Sequence, residues 1–490
     1  MSGNALVDAT DQLCTDAIRH LPDAALGAEA AALLARLHGP LRVAIAGRIK
    51  AGKSTLLNAL VRDRVAPTDA GECTRVVTWY TEGISAEVNA VLRDGSLRPV
   101  AIERDDEGVR LDLGSLGVDA IDRIDVRWPA RALADLTVID TPGLASINAE
   151  TSRRTEKFLA VDALTTSDAD AVIYLMRHVH QRDIEFLDAF MDRSVAGTSP
   201  INAVGVLSRA DEIGAGRVDA LASAERIARR YSANHDVRSL CGSMVAVAGL
   251  LAETSSSLRE DEVGHLRRLL DLDDRARAEL LVTSDRFCDP LRSSLTGEVR
   301  AALLARFGLF GIRYTLDELR REPDLTASQL ARRLRGVSGI EDLERVLAEQ
   351  FAPRARSLQA RAVLSGVRAL AHRIRASSPA HETWLLEYVE RVEAASHDLS
   401  ELRLLHLALS GEARLADGET EEVRATLLAV KADERVGRPD APAAEVQAIA
   451  LERIQRWRVR ASDPLADPTT TEASEIMAHT YEAIYANPAG

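Results

Sequence analysis

Residues 47–54 read Gly-Arg-Ile-Lys-Ala-Gly-Lys-Ser and match the pattern G-x-x-x-x-G-K-[ST], and this stretch decides the fold. The run before it, 41–46, is short and apolar and predicts a buried strand. Residues 55–60 carry leucines at helical spacing. Strand, glycine loop and helix together predict a phosphate-binding loop (P-loop), because loop amides and the helix N-terminus converge on phosphate oxygens.

Each polar side chain of the P-loop has an expected role. The Lys53 ammonium reaches the β- and γ-phosphates, and the Ser54 hydroxyl is a ligand for Mg²⁺. The segment predicted to contact the nucleotide comprises Gly47, Arg48, Ile49, Lys50, Ala51, Gly52, Lys53, Ser54 and Thr55.

Composition narrows the class of protein. A chain of 490 residues is too long for one core, so two or three structural units are expected. The formal charge of −14 argues against broad nucleic-acid binding and against purely electrostatic attachment to anionic lipid. Four widely spaced cysteines indicate reduced thiols rather than disulfides or a zinc site.

Localisation is predicted from the absence of the usual targeting patterns. The first residues lack the charged and apolar regions of a secretory signal. The best apolar stretch, 244–252, is about half the length needed to span a bilayer. We therefore expect a cytoplasmic protein whose only membrane contact is peripheral, at the inner face of the cell membrane.

Two kinds of pattern divide the chain. Strand-like runs alternate with helical patterns between about 41 and 282, which predicts an α/β domain with a mostly parallel sheet flanked by helices. The section 86–128 is expected to be antiparallel, with Asp94-Gly95 as a hairpin turn. The predicted strands are 41–46, 75–81, 86–92, 98–103, 122–127, 136–140, 170–176, 202–208 and 243–247.

Amphipathic helices separated by turn signals fill the rest. They predict an elongated all-α bundle, a neck and stalk, over 289–490, and two short N-terminal helices within 1–40 that pack on it. The α/β domain then spans 41–288. The helices predicted beyond it are 291–306, 326–337, 339–374, 382–409, 417–432, 443–460 and 470–485.

A second motif, Leu-Thr-Val-Ile-Asp-Thr-Pro-Gly at 136–143, is a buried strand that ends in D-x-x-G. Asp140 at the strand's carboxyl end is placed to hold Mg²⁺ through water, and the Gly143 amide to sense the γ-phosphate. An ordinary strand end with a Pro-Gly turn is the alternative, and the upstream P-loop argues against it.

A third motif, Val-Leu-Ser-Arg-Ala-Asp at 206–211, predicts the base specificity. A carboxylate accepts guanine N1–H and N2–H₂ as a bidentate pair, whereas adenine presents the wrong pattern. Asp211 is the expected guanine-binding residue, with Ser208 bracing the loop and the Arg209 stem over the base. The alternative is that Asp211 caps a helix.

Residues 66–78 form a loop that leads into a strand and should change conformation with the nucleotide. A threonine there completes the Mg²⁺ shell when the γ-phosphate is present. Thr74 is the first choice because it directly precedes the strand, and Thr68 and Thr78 are the alternatives. The predicted metal ligands are therefore Ser54, Thr74 and Asp140.

Together these segments resemble the dynamin superfamily of large GTPases, particularly its bacterial members. The resemblance lies in GRIKAGKSTLLNAL, the APTD…T segment, DTPG, SRAD and the long helical region that follows. It implies a dynamin-type GTPase head at 41–288 on a helical stalk, GTP or GDP with Mg²⁺, and membrane remodelling. It also implies nucleotide-dependent head-to-head dimers and a second dynamin-like protein as partner.

The catalytic positions depart from the family pattern. Ile49 stands where eukaryotic dynamins carry a glutamine, and an isoleucine cannot orient a water. Leu144 stands where small GTPases carry their catalytic glutamine. Lys50 and Arg48 are the candidates for transition-state charge, alongside Lys53 and Thr74. Slow, assembly-dependent hydrolysis is one expectation. A GTP-gated scaffold with little hydrolysis is another, and a P-loop ATPase is disfavoured by Asp211.

One apolar segment, Arg-Phe-Gly-Leu-Phe-Gly-Ile at 306–312, has two interpretations. It is either a tip loop that inserts Phe307, Leu309 and Phe310 into lipid, or a helix junction whose aromatic residues are buried. The second is favoured, because the segment follows the α/β domain directly.

Overall fold

The computed structural model describes residues 3–66, 76–105, 108–113, 116–142, 168–177, 202–234, 237, 241, 243–289, 295–410 and 413–489. The strands are β1 Leu41–Gly47, β2 Val77–Glu82, β3 Glu87–Leu92, β4 Leu97–Pro99, β5 Ala101–Asp105, β6 Gly108–Asp112, β7 Ile121–Trp128, β8 Leu136–Asp140, β9 Ala171–Met176, β10 Ala203–Ser208 and β11 Ser243–Val247.

Nine of these strands form one sheet in the order β11-β10-β9-β1-β8-β2-β7-β3-β4, and β5 pairs with β6. The five strands from β11 to β8 are mutually parallel. β2 is antiparallel to β8 but parallel to β7, and β3 is antiparallel to both β7 and β4. The mostly parallel sheet and the antiparallel section predicted from the sequence are both confirmed, including the turn at Gly95, whose φ is +83°.

The helices of the N-terminal and α/β regions are α1 Gly3–His20, α2 Ala24–His38, α3 Lys53–Val61, α4 Ala220–Ala233, α5 Gly249–Ser256, α6 Glu260–Leu270, α7 Asp274–Leu280 and α8 Ser284–Cys288. The later helices are α9 Gly297–Arg321, α10 Ala327–Val337, α11 Ile340–Val346, α12 Ala355–Ile374, α13 Pro379–Ala395, α14 His397–Ser410, α15 Asp417–Leu428, α16 Ala432–Arg435, α17 Ala443–Ala461 and α18 Pro468–Ala486. In the described part of the chain, no helix combines the length and apolar character that crossing a bilayer requires.

The helices after the sheet pack in two different places. α9 and α10 lie on α5, α9 also contacts α6, and α11 contacts β11. Phe307, Phe310 and Ile312 of α9 are buried in the same core as the sheet residues Tyr174 and Leu207. The segment that directly follows the predicted boundary at 288 therefore completes the hydrophobic core on one face of the sheet.

The remaining helices pack in two groups, and the second group shares one hydrophobic core with sheet residues such as Ile45. α1 and α2 pack on α12 and α13 around residues such as Leu13, Leu37 and Leu364. α14 to α18 pack around Trp457 and Tyr481, and α17 against α18 is the most extensive helix pair. Burial of apolar side chains at about 25 cal/mol per Å² is what holds each layer together.

Two predicted helices and one predicted strand are divided in the structure. The predicted helix 339–374 contains a π-turn at Leu347–Phe351 and a 3₁₀ turn at Ala352–Arg354, because Pro353 cannot donate the next helical hydrogen bond. The predicted helix 382–409 breaks at Ser396, whose φ and ψ are extended. The predicted strand 98–103 is two strands, interrupted at Val100.

Candidate nucleotide site

Four parallel strands end at one edge of the sheet, and each ends in a segment with polar groups or glycine. β1 leads into the P-loop, β8 ends at Asp140, β10 at Ser208 and β11 at Val247. Ligands of open α/β sheets bind outside the carboxyl ends of the strands. The three motifs that lie far apart in the sequence are therefore brought to one site.

The P-loop backbone adopts conformations that favour glycine. Gly47 has φ +150°, and a Cβ there would lie 2.5 Å from the Leu175 carbonyl oxygen. Gly52 has φ +94° and immediately precedes α3. Lys50 also has a positive φ, +62°, which is uncommon outside glycine. The strand's close packing and the loop's sharp turn explain why glycine stands at both motif positions.

Lys53 lies at the first turn of α3 and points back across the P-loop. Its Nζ donates to the carbonyl oxygens of Gly47 at 3.3 Å and Arg48 at 3.5 Å. Burial lowers the pKa of Lys53, and the nearby Asp140 charge works in the opposite direction. Both hydrogen bonds are long, so the ammonium is free to exchange them for phosphate oxygens, which bind it more strongly.

Ser54 and Asp140, two of the residues predicted as metal ligands, lie in contact with each other. Ser54 Oγ donates to Asp140 Oδ2 at 3.1 Å. Asp140 Oδ1 is buried and has no hydrogen-bond partner among the described residues. Burial raises the pKa of Asp140, against the opposing effects of Lys53 and the Ser54 hydroxyl. A hydroxyl and an unsatisfied carboxylate oxygen side by side are a donor set that suits Mg²⁺.

An open cleft extends from the P-loop to the end of β10. Gly52 and Thr55 line it on one side, and Ser208, Arg209 and Asp211 on the other. Its floor is apolar. Apolar walls with a few polar groups are typical of clefts that bind small organic ligands.

Asp211 is buried, and burial raises its pKa to about 6. It lies inside the turn Ala210–Ala215, where Arg209 rather than Asp211 holds the cap position. The helix-cap alternative for Asp211 is therefore wrong. Ser208 Oγ donates to the Met176 carbonyl at 3.3 Å and ties the loop to β9, which is the bracing expected of it.

An ion pair restrains the Arg209 side chain, so this side chain does not move freely over the cleft. Its Nη1 donates to Glu212 Oε1 at 2.6 Å, and Arg177 Nη2 donates to the other oxygen of Glu212 at 2.6 Å. Its backbone has φ +53°. Glu212, which the sequence did not single out, thus fixes the guanidinium at the rim of the cleft.

Sequence reasoning missed the loop after β11. Val247, Gly249 and Leu250 line the cleft, and a Cβ at Gly249 would lie 3.7 Å from Thr55 Cγ2. The Ala248 amide donates to the Ser338 carbonyl at 2.8 Å. The signal that could have found this loop is the small pair Ala248-Gly249 directly after an apolar strand, at the same sheet edge as the other motifs.

Several predicted residues are exposed or lie outside the described chain. Arg48, Ile49 and Lys50 are exposed, and Ile49 presents 45% of its surface to solvent. Thr78 is buried in β2, where its Oγ1 donates to the Val76 carbonyl at 3.4 Å. The predictions for Thr68, Thr74, Gly143 and Leu144 fall outside the described residues.

The segment 306–312 is a helix junction rather than a lipid-inserting tip. Phe307 and Phe310 are buried, and α9 kinks at Gly308. The expectation of a bend with buried aromatic residues is confirmed. The tip-loop interpretation is wrong for these two side chains.

A mostly parallel sheet with a P-loop at its edge, Ser54 hydrogen-bonded to Asp140, and a buried Asp211 in the adjoining cleft define the class of P-loop nucleotide-binding domains. Residues 43–204 match the model of the Dynamin family. The isoniazid-induced protein IniC of Mycobacterium tuberculosis is 37% identical over 459 residues, covering 92% of this chain and 91% of its own length. The chain belongs to the dynamin family of GTPases.

More distant likenesses add little. An uncharacterized protein of Caldicellulosiruptor sp. is 23% identical over 133 residues, covering 27% of this chain and 31% of that protein. A solved oligomerised bacterial dynamin pair is 14% identical with a TM-score of 0.30, covering 99% of this chain and 76% of the other. A TM-score this low supports no inference about the present chain.

Proposed function

We propose that this protein binds GTP with Mg²⁺, hydrolyses it slowly, and couples the nucleotide state to dimerisation of its GTPase heads. Membership of the dynamin family supports this assignment. The observation that carries it is that Ser54 lies 3.1 Å from Asp140 beside the P-loop, while Asp211 lines the cleft that Gly52 and Thr55 also line. The first pair suits a metal–phosphate group, and Asp211 suits a guanine base.

Binding begins with the P-loop. Backbone amides before α3 and the positive end of the helix receive the phosphates, and Lys53 turns from its own loop's carbonyls to them. A phosphate would also offset the burial that lowers the Lys53 pKa. Ser54 and Asp140 would hold Mg²⁺, with Thr74 and the Gly143 amide proposed to complete the γ-phosphate side. The bound metal supplies charge neutralisation on the phosphate oxygens.

Catalysis then depends on residues at the exposed rim. Lys50 and Arg48 are solvent-facing, so each could place a cation on the transferred phosphoryl group in its own head or in a facing head. Exposure also explains the expected dependence on assembly: an exposed cation stabilises charge weakly until a second surface excludes water.

A second candidate function is a GTP-gated scaffold that hardly hydrolyses the nucleotide and acts with another dynamin-like protein. One observation favours it: the side chain at Ile49 is 45% exposed at the P-loop rim and offers no hydrogen bond to an attacking water. Membrane remodelling or maintenance by peripheral contact belongs to both candidates, and its support is the family alone.

We also propose that the functional head extends beyond residue 288. α9, α10 and α11 contact the helices and the strand β11 of the sheet layer, whereas α12 contacts α1, α2 and α13. The short turns Leu347–Phe351 and Ala352–Arg354 join these two groups of helices. A division near these turns fits the contacts better than one near 288.

Turnover measured against protein concentration tests the proposed function. Phosphate release from GTP per molecule should rise with concentration, and liposomes should raise it further if membranes organise the heads. Lys53→Ala should abolish nucleotide binding, and ATP should not compete with GTP. GTP binding with a negligible, concentration-independent rate would favour the scaffold. Turnover unchanged in Lys53→Ala would show that the assigned site is not the active one.

A further inference from the structure

Helix α9 bends at Gly308 directly against the carboxylate of Asp211. Gly308 has φ +60° and ψ 175°, a backbone conformation reached almost only by glycine. A Cβ at this residue would lie 3.3 Å from Asp211 Oδ2 and 3.7 Å from Leu250 Cδ2. The bare backbone of Gly308 is therefore one wall of the space in which the carboxylate lies.

Residues 208–216 are called the base loop. Helix α9 also forms hydrogen bonds with the last residues of this loop. Arg313 donates to the carbonyl oxygens of Gly216 and Ala215, the second at 3.3 Å. A Cβ at Gly216 would lie 3.3 Å from the Phe310 amide nitrogen. α9 thus contacts the base loop at its guanine-binding residue and again at its last residue.

The opposite side of the base loop is also fixed. Ser208 is tied to β9 through the Met176 carbonyl at 3.3 Å, and Asp211 is only 7% exposed. The carboxylate is therefore confined between the end of β10 and the Gly308 backbone, with the cleft as its open side. Small displacements of either wall move the two oxygens relative to a bound base.

We propose that Gly308 is a positioning residue for guanine recognition, and that its missing side chain sets where both oxygens of Asp211 stand. This inference rests on the proposed guanine binding and extends it to a residue in the helical segment after 288. Guanine and hypoxanthine share N1–H, but only guanine offers N2–H₂. Displacing Oδ2 disturbs the bidentate geometry that only guanine can complete, so guanine should lose more affinity than hypoxanthine.

The test compares the affinities of the full-length protein for GDP and for IDP, which lacks the N2 amino group. Hydrogen bonds to a charged group are strong enough that wild-type protein should prefer GDP by about tenfold or more. In Gly308→Ala this preference should fall to about threefold or less, because the new methyl group displaces Oδ2. Isothermal titration calorimetry gives both dissociation constants.

Gly311 of α9 and Gly336 of α10 provide matched controls. A Cβ at Gly311 would lie 2.4 Å from Leu251 Cδ2, so Gly311→Ala disturbs the packing of α9 on α5 without touching Asp211. It should lower the thermal midpoint but keep the GDP preference. A Cβ at Gly336 meets no atom within 4 Å, so Gly336→Ala should keep the GDP preference, while the thermal midpoint should hold or rise because alanine favours the helix.

A milder variant covers the case in which Gly308→Ala fails to fold. Arg313→Met keeps the length of the side chain and removes its donors to Ala215 and Gly216, so the GDP preference should fall in the same direction. An unchanged preference in the folded variants, or an equal fall in Gly311→Ala, would overturn the inference while leaving guanine binding intact. A wild-type protein with no guanine preference would instead overturn the proposed function.

Discussion

Arg36 of α2 donates from Nη2 to Asp170 Oδ1 at 2.6 Å, and both side chains are almost completely buried. The other oxygen of Asp170 accepts the Arg42 amide at 2.9 Å, where β1 begins. One carboxylate thus joins an N-terminal helix to the first residues of β1 and β9. The N-terminal helices are fixed to the head as well as to α12.

This ion pair should contribute strongly to stability. Replacing one partner of a buried pair leaves the other charge uncompensated, so Arg36→Met should lower the free energy of unfolding by about 3–5 kcal/mol. Urea unfolding followed by circular dichroism measures the change. The exposed pair Arg229–Glu225 is the control, and Arg229→Ala should cost at most about 0.5 kcal/mol. Equal effects of the two substitutions would contradict this explanation.

Guanine binding should weaken in acid because Asp211 must be ionised to accept two N–H groups. Burial raises the pKa of Asp211 from 3.8 to about 6, so the carboxylate of the free protein becomes protonated as the pH falls through 6. The affinity for GDP should therefore be about tenfold lower at pH 5 than at pH 7.

The nucleotide's own phosphate also titrates in this range, so a control variant is needed. Asp211→Asn keeps the phosphate titration and removes the carboxylate. Dividing the wild-type pH profile by that of Asp211→Asn isolates the carboxylate contribution. A flat ratio between pH 5 and 7 would show that Asp211 does not titrate in the binding step.

Magnesium dependence should be lost with the Ser54 hydroxyl. Ser54→Ala removes a hydroxyl 3.1 Å from Asp140 and should reduce the gain in GTP affinity on adding Mg²⁺ by at least about tenfold, since loss of even an outer partner lowers metal affinity on this scale. Binding of a fluorescent GTP analogue with Mg²⁺ or with chelator measures the gain. Ser54→Thr retains a hydroxyl and should behave as wild type.

The backbone of Lys50 allows its charge to be tested separately from its conformation. With φ at +62°, Lys50→Ala keeps the Cβ and the strain of about 1 kcal/mol that lysine already bears, whereas Lys50→Gly relieves that strain and keeps the loop shape. If the ammonium stabilises the transition state, Lys50→Gly should lower kcat about a hundredfold with little change in GTP affinity. Single-turnover hydrolysis separates the two quantities. A kcat close to wild type would remove Lys50 from the catalytic set.

Much of the fold could be predicted because local patterns determined it. The apolar runs of β1, β8 and β10 end at the P-loop, Asp140 and Ser208, and parallel pairing, with β9 between β1 and β10, brings these ends to one edge. The Ser54–Asp140 contact follows from this rule alone.

Contacts between residues far apart in the chain could not be predicted in this way. No local pattern places Gly308 against Asp211, or the Ser338 carbonyl against the Ala248 amide. The boundary expected at 288 followed the end of the strand pattern, but α9 continues the same hydrophobic core. Amphipathic periodicity shows that a helix has a buried face without showing what covers it.

Because lysine is scarce in this chain, covalent labelling of lysine side chains reports mainly on the P-loop. The chain has four lysines, and two of them stand within residues 47–54. Because burial lowers the pKa of Lys53, more of its amine is unprotonated near neutral pH than in an ordinary lysine, and only that form reacts with acylating reagents. Mass spectrometry of one short peptide could therefore report site occupancy with unlabelled nucleotide.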